Sequence, residues 1–268
     1  MPDVIAKPVK TAIQVAVILI TITAWWITWS EARNMGILMR LGVPMSLGMA
    51  GWADPTSFAV FTGMWAVMMV AMMLPSSYPT LVMHRSLYQK RHSGQTGGTF
   101  LFALGYFAVW TLTGVLFYAA YILMGYWRSA VPGSDVSVLR IAGVSLVAAG
   151  VYQWIRLKFT CLKHCKSPLF FLMEHWRDGR TGAIRTGAEH GFYCFGCCWG
   201  LMVVLFTMGV MHLGWMAAVG VLILLEKLTP SSTWLPKLTG ALIIAMGVVV
   251  FAIPSFLAGL SSQVVLRH

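Results

Sequence analysis

Residues 191–226 read GFYCFGCCWGLMVVLFTMGVMHLGWMAAVGVLILLE, an apolar run that carries no charged residue until Glu226. About 20 residues of helix cross a bilayer's hydrocarbon core, so a run of about 36 is too long for one crossing. The spacing predicts a hairpin of two spans, 191–208 and 212–226, turning between Met208 and Gly214. The rest of the chain fits this reading. Of 268 residues, 58% are hydrophobic and 10% are charged, whereas soluble domains are about one quarter charged. Abundant Gly and Trp suit close helix packing and interfacial anchoring.

Outward from that run, further spans are expected at about 11–29, 58–74, 99–124, 136–155 and 237–256. The chain is therefore expected to be all-α, a polytopic transmembrane helical bundle of about seven spans in a single domain, 1–268. The first run ends in Trp25, Trp26 and Trp29 and not at a small-residue cleavage site, so it reads as a retained span. Span two is expected to stop at Pro75, and spans three and four to join at a turn around Pro132-Gly133. Residues 30–56 read as an outside loop. Residues 156–190 read as a cytoplasmic segment of cysteines and cations, within which 168–177 forms a short amphipathic helix at the interface.

The formal charge of +11 does not signal a nucleic-acid partner, because the cations fall between apolar runs, where they act as topological signals. With the amino terminus cytoplasmic, the inside segments hold fourteen Lys and Arg and the outside segments five. The expected location is a bacterial inner (plasma) membrane, with the carboxyl terminus outside and every cysteine at or near the cytoplasmic face. No internal repeat supports an inverted-repeat transporter plan.

All five cysteines lie between Cys161 and Cys198. Cytosolic thiols stay reduced, which weighs against a disulfide framework and towards metal binding or thiol chemistry. On a helix, Cys161 and Cys165 share one face, as do Cys194, Cys197 and Cys198 at i, i+3 and i+4. Two such faces could converge on one soft ion, Cu(I) or Zn(II), with His164 and His190 as mixed alternatives. The spacings are looser than paired zinc knuckles, and small cysteines also simply pack between helices. Lys163, Lys166 and the amino-terminal end of the fifth span would favour thiolates.

Span two presents Met64, Met68 and Met72 every four residues, and Met202 continues the Cys194, Cys198 row one turn deeper. Met68, Met72 and Met202 are weaker ligand candidates, since methionine also serves as a flexible filler. His84 and His92 read as solvated, His175 beside Glu174 as a surface residue, and His212 as a hairpin cap. Glu226 reads as snorkelling or pairing with Lys227. Gly196 and Gly200 read as a close-contact pair beside the cysteines.

The methionine-rich run 64–76, the Cys161 to Pro168 segment, the block 190–202, and the 209–216 and Glu226-Lys227 elements together resemble a bacterial family described as predicted metal-binding integral membrane proteins, a domain of unknown function. The resemblance spans most of the chain from span two to span six. It implies metal binding through Cys161, Cys165, Cys194, Cys197 and Cys198, and it specifies no reaction. His212 stands where the resemblance leads one to expect Asn.

The function expected from these residues is metal binding, with possible handling or transport of the ion. Its partners would be the lipid bilayer, the metal ion, and a soluble metal donor or a membrane partner. No ATP-binding loop or soluble catalytic domain is visible, so any transport would be passive or coupled to another gradient. An enzyme is the lesser expectation. The alternatives are a membrane thiol-disulfide oxidoreductase or redox sensor, and an assembly subunit with a structural zinc.

Overall fold

A computed structural model describes residues 7–40, 55–91, 97–130, 134–208, 212–229 and 233–253. The expected Pro132-Gly133 turn, the hairpin turn at 209–211, His92, and residues 254–256 of the last expected span lie outside the described residues, as does most of the segment 30–56. Among the described residues every regular element is a helix. In order these are α1 Lys7–Arg40, α2 Pro55–Arg91, α3 Gly97–Ala130, α4 Ser134–Tyr152, α5 Arg156–Lys166, α6 Pro168–His175, α7 Gly179–Met208, α8 Leu213–Leu228 and α9 Trp234–Ala252.

Among the described residues, five stretches are long and apolar enough to cross a membrane: Thr11–Asn34, Ser57–Arg91, Gly97–Trp127, Gly179–Met208 and Trp234–Ala252. Val136–Tyr152 and Arg156–Lys166, bent by 64° at their junction, pass together as a sixth. The hairpin partner expected at 212–226 is present as α8, but with 16 residues it is short for a crossing.

Three expectations about element boundaries need correction. Residues 30–40, read as the start of an outside loop, continue α1 to Arg40. The segment 156–190 holds more helix than the short one expected at 168–177: it forms α5, α6 and the first turns of α7, which starts at Gly179 with a φ of +83°. Its many cations disguise the helix, because charged residues such as Arg and Lys are themselves good helix formers. The third correction concerns α2, which does not stop at Pro75 but runs through both Pro75 and Pro79. A proline inside a helix removes the N–H that would bond the carbonyl four residues earlier, here that of Ala71. The Trp25 indole Nε1 of α1 donates to that very oxygen at 3.1 Å. A neighbouring helix thus satisfies the group that the proline orphans, and the helix can continue.

Glycines set how closely the helices approach. α3 lies along α7 and α4 along α9, the two most extensive pairings. A Cβ added at Gly187 of α7 would sit 2.0 Å from the Phe102 carbonyl oxygen, and one at Gly105 of α3 would sit 2.1 Å from that of Ile184. Backbone therefore meets backbone along this seam, and α7 is held in register against α3. Two apolar clusters fill the interior. The larger joins Trp65, four α2 methionines (Met68, Met69, Met72 and Met73), Trp110 and Leu201 to all five cysteines. The smaller places Phe171 and Leu172 of α6 against Leu74, Leu81 and Phe102. α6 thus has Pro168 in its first turn, as expected, and buries two side chains in the bundle while Phe170 and Met173 face outward.

Trp25→Phe should lower stability by about 1–3 kcal/mol, the cost of leaving a buried carbonyl unsatisfied. Adding Pro75→Ala restores an N–H at that turn and should recover most of the loss. Thermal unfolding of the single and double variants in detergent checks this; equal losses would refute the role given to Trp25.

Candidate metal centre

The two cysteine-bearing faces do meet. Cys165, near the end of α5, lies with Cys194 and Cys197 of α7 in a buried set whose sulfurs are all within 4.8 Å of one another. Cys165 and Cys197 Sγ are 3.7 Å apart, and Cys198 Sγ stands 3.2 Å from Cys197 Sγ beside the set. The Cys197 thiol also lies 3.1 Å from the Cys194 carbonyl, which orients it. All five cysteines are free and buried.

Helical geometry explains the convergence. Cys194, Cys197 and Cys198 fall on one face of α7, one turn apart, and α5 packs across that face. Gly196 lets α5 approach: a Cβ there would sit 2.7 Å from Cys161 Sγ. Gly200, one turn on, does the same for α4, where its Cβ would be 3.1 Å from the Ala149 carbonyl oxygen. The Gly196, Gly200 pair is thus a close-contact surface, as expected. Cys161 is accordingly spent against Gly196 and is not in the three-sulfur set.

Two other helices bring polar groups to Cys194, and a third reaches it through one of them. The Tyr106 hydroxyl of α3 is 3.0 Å from its sulfur. The Lys227 ammonium of α8 donates to the same sulfur at 3.1 Å and to Ser76 Oγ of α2 at 2.9 Å. Ser76 in turn donates to the Met73 carbonyl at 2.9 Å. A cation held against a sulfur is what allows a thiolate to be buried, since an isolated buried charge is very costly.

A second buried charge pair lies at the same end of α8. Lys158 of α5 meets Glu226 Oε2 at 2.7 Å and also donates to Gln153 Oε1, with both charged side chains almost fully buried. This corrects the expectation that Glu226 snorkels or pairs with Lys227. Consecutive helical residues point about 100° apart, so Glu226 turns to α5 and Lys227 to the sulfurs.

The remaining candidates divide. His190 is buried one turn before Cys194, among the rings of Phe102, Tyr106 and Phe171, and its Nδ1 has no hydrogen-bond partner among the described residues. It is not in the sulfur set. His164 lies at the outer side, stacked on Tyr193 at 4.3 Å. Met68, Met72 and Met202 are buried in the same apolar cluster as the cysteines. Met72 lies against Gly220 of α8, and Met68 with Met64 lines a cavity of about 390 Å³ between α1 and α2. His84 is not solvated but buried, stacked on Phe102 at 4.5 Å. His212 caps α8 by accepting the Trp215 backbone N–H at 3.2 Å, as expected of the hairpin position. The amino-terminal end of α7 cannot favour the thiolates, because Cys194 lies about four turns inside that helix. Lys163, expected near the sulfurs, sits over the Phe170 ring at 5.3 Å.

Sequence reading missed Tyr106 and Ser76 as neighbours of the thiols, and it assigned Lys227 to the wrong partner. A Glu-Lys pair placed where an apolar run ends was the one signal for Lys227. Lys158→Met should cost about 3–5 kcal/mol, because it leaves the Glu226 carboxylate buried without its cation. Lys158→Met with Glu226→Leu should recover most of that loss in thermal unfolding; no recovery would show that the pair is not the source of the cost.

No curated protein and no solved structure matches the chain. A family model does, over residues 62–250, a stretch holding every cysteine and every polar neighbour just described. The resemblance to metal-binding proteins noted in the sequence is thereby narrowed to copper, and nothing found favours zinc. The chain belongs to the family described as PpoB2, copper chaperone.

Proposed function

We propose that this protein is a membrane-embedded copper handler that holds Cu(I) through the thiolates of Cys165, Cys194 and Cys197, with Cys198 next in line. The observation that carries the reading is the meeting of three thiols from two helices within 4.8 Å, with a lysine ammonium against one of them. Thiolates bound at about 2.3 Å around one ion stand roughly 4 Å apart, and Cys165 and Cys197 are 3.7 Å apart before any rearrangement. Sulfur ligands suit Cu(I). Three thiolates and one Cu(I) leave a net negative charge in an apolar interior, and Lys227 reduces it. Copper here is cargo, received and passed on, so the residues need to bind and release it and no bond-making chemistry is required of them.

Membrane embedding is supported by five to six helices of spanning length and by the apolar side chains they present outward, among them Leu19, Leu116, Leu123 and Leu242. With α8 counted as a seventh crossing, the Lys and Arg distribution supports an amino terminus in the cytoplasm of a bacterium and a carboxyl terminus outside. In that orientation the lipid bilayer surrounds the bundle, and a soluble donor or a membrane partner exchanges copper with it.

Purified under reductant, the full chain should carry about one Cu(I) in the thiolate set. Cys165→Ser with Cys197→Ser should abolish this binding, and Cys161→Ser should leave it intact. Metal-free protein with a Cys165–Cys197 disulfide that forms and breaks on cycling would overturn the reading in favour of thiol exchange. Lys227→Met should weaken Cu(I) affinity by about tenfold or more, the scale of one lost charge-assisted contact. Competition with a Cu(I) chelator measures both effects. Embedding is checked separately: the protein should remain with membranes through an alkaline carbonate wash.

A further inference from the structure

On α2 a row of thioethers leads away from the buried thiols to a cavity that the thiol site does not use. Ser76 marks the level of the thiols, because its hydroxyl accepts from the Lys227 ammonium that also contacts Cys194. From there Met72, Met68 and Met64 follow at four-residue intervals towards the start of the helix. At 1.5 Å per residue they stand about 6, 12 and 18 Å along the axis from Ser76. On α7, Met202 comes one turn after Cys198, and it shares with Met68 and Met72 the apolar cluster that holds the cysteines.

The row ends in the cavity of about 390 Å³ between α1 and α2, which Met64 and Met68 line together with Thr28 and Glu31 of α1. Gly63 forms part of the α2 wall, and a Cβ there would meet nothing within 4 Å, so the wall has space beside the methionines. Met64 and Met68 are one turn apart, which sets their Cβ atoms about 5–6 Å from each other. Two sulfurs bound at about 2.3 Å to one ion stand no more than roughly 4.6 Å apart. The three rotatable bonds of each methionine close that difference. Two neutral thioethers leave the charge of Cu(I) uncompensated, and Glu31 is the one charged residue among the described residues that line the cavity. It is exposed, so its carboxylate keeps its charge at little cost.

We propose that Met64, Met68 and Glu31 form a release site for Cu(I), which the ion reaches from the buried thiolates by way of Met72 and from which an acceptor takes it. This rests on the copper-handling reading and adds the point of exit to it. In the orientation given above, the start of α2 is its outer end. Thioethers suit Cu(I) by softness but bring no anion to it, so they hold it more loosely than thiolates do. A release site needs that looseness. The cavity is also larger than one ion requires and leaves room for a donor group of the acceptor. No electron changes hands: each bond from the ion to a thiolate is exchanged for one to a thioether, and the thiols return to their state before loading, with Lys227 against Cys194.

The test titrates the full chain in detergent, anaerobically, with Cu(I) supplied as a chelator complex. The wild-type chain should take up one Cu(I) tightly and a second more weakly. Met64→Leu with Met68→Leu should abolish the second and keep the first, which also shows that these volume-conserving changes leave the fold intact. Glu31→Gln, an exposed change of one atom, should weaken the second by about tenfold, the scale of one lost charge-assisted contact. In a chain loaded with a single Cu(I), the methionine double variant should also release it to a water-soluble chelator about tenfold more slowly. A wild-type chain that saturates at one Cu(I), as it would if the cavity held only a lipid or detergent chain, overturns the proposal. So does a second ion that persists in the methionine double variant, or release at an unchanged rate. Loss of the tight ion alone would instead sink the buried site, since Cys165→Ser with Cys197→Ser removes that ion and should leave the weak one in place.

Discussion

The 3.1 Å contact between the Lys227 ammonium and the Cys194 sulfur sets the terms for what is packed around it. A thiolate cannot persist in an apolar interior without a compensating charge, and an ammonium there needs acceptors for its protons. Ser76 supplies a second acceptor and is itself anchored to a backbone carbonyl of α2. Tyr106 adds a hydroxyl to the same sulfur from α3. One sulfur therefore ties together α2, α3, α7 and α8, and the approach of Cys165 brings in α5. The Lys158–Glu226 pair extends this logic, since it puts a second cation and its counter-charge between α5 and α8.

Such contacts require helices to stand at fixed separations, and the glycines secure this. At Gly187 and Gly105 the α3 and α7 backbones touch, which carries Tyr106 to Cys194. At Gly196 and Gly200 the cysteine-bearing part of α7 is opened to α5 and α4. Tyr152 completes the fit by donating to the Gly196 carbonyl at 2.6 Å. A methyl group at any of these seams would move sulfurs that must agree to within a few tenths of an ångström, because protein interiors transmit displacement and do not absorb it.

Much of this architecture was legible in residue spacing, and the reasons are local. Apolar runs marked the helices, and one-turn repeats marked Cys194, Cys197 and Cys198 as a single face. The sequence offered the convergence of that face with Cys165 as a possibility and left it open, because α5 and α7 meet through contacts far apart in the chain. What escaped depended on partners distant in the chain. Pro75 looks like a helix stop until Trp25, from another helix, supplies the missing donor. Lys227 looks like the partner of Glu226 until α5 is seen to offer Lys158 instead. His84 looks like a loop residue until α2 is seen to continue past it, burying the ring among Tyr88, Phe102 and Trp176. Cys161 shared a face with Cys165, but sequence could not show that Gly196 would take up its sulfur.

The buried polar groups also limit the charge that the interior can hold. Cys194 is fully buried and has an ammonium against its sulfur, and a thiolate there without that cation would carry the full cost of a buried charge. Met68, Met72 and Met202 lie in the same apolar cluster as the thiols, and a thioether brings no charge to be balanced. Sulfur can therefore be plentiful in this interior while anionic sulfur is favoured where Lys227 reaches.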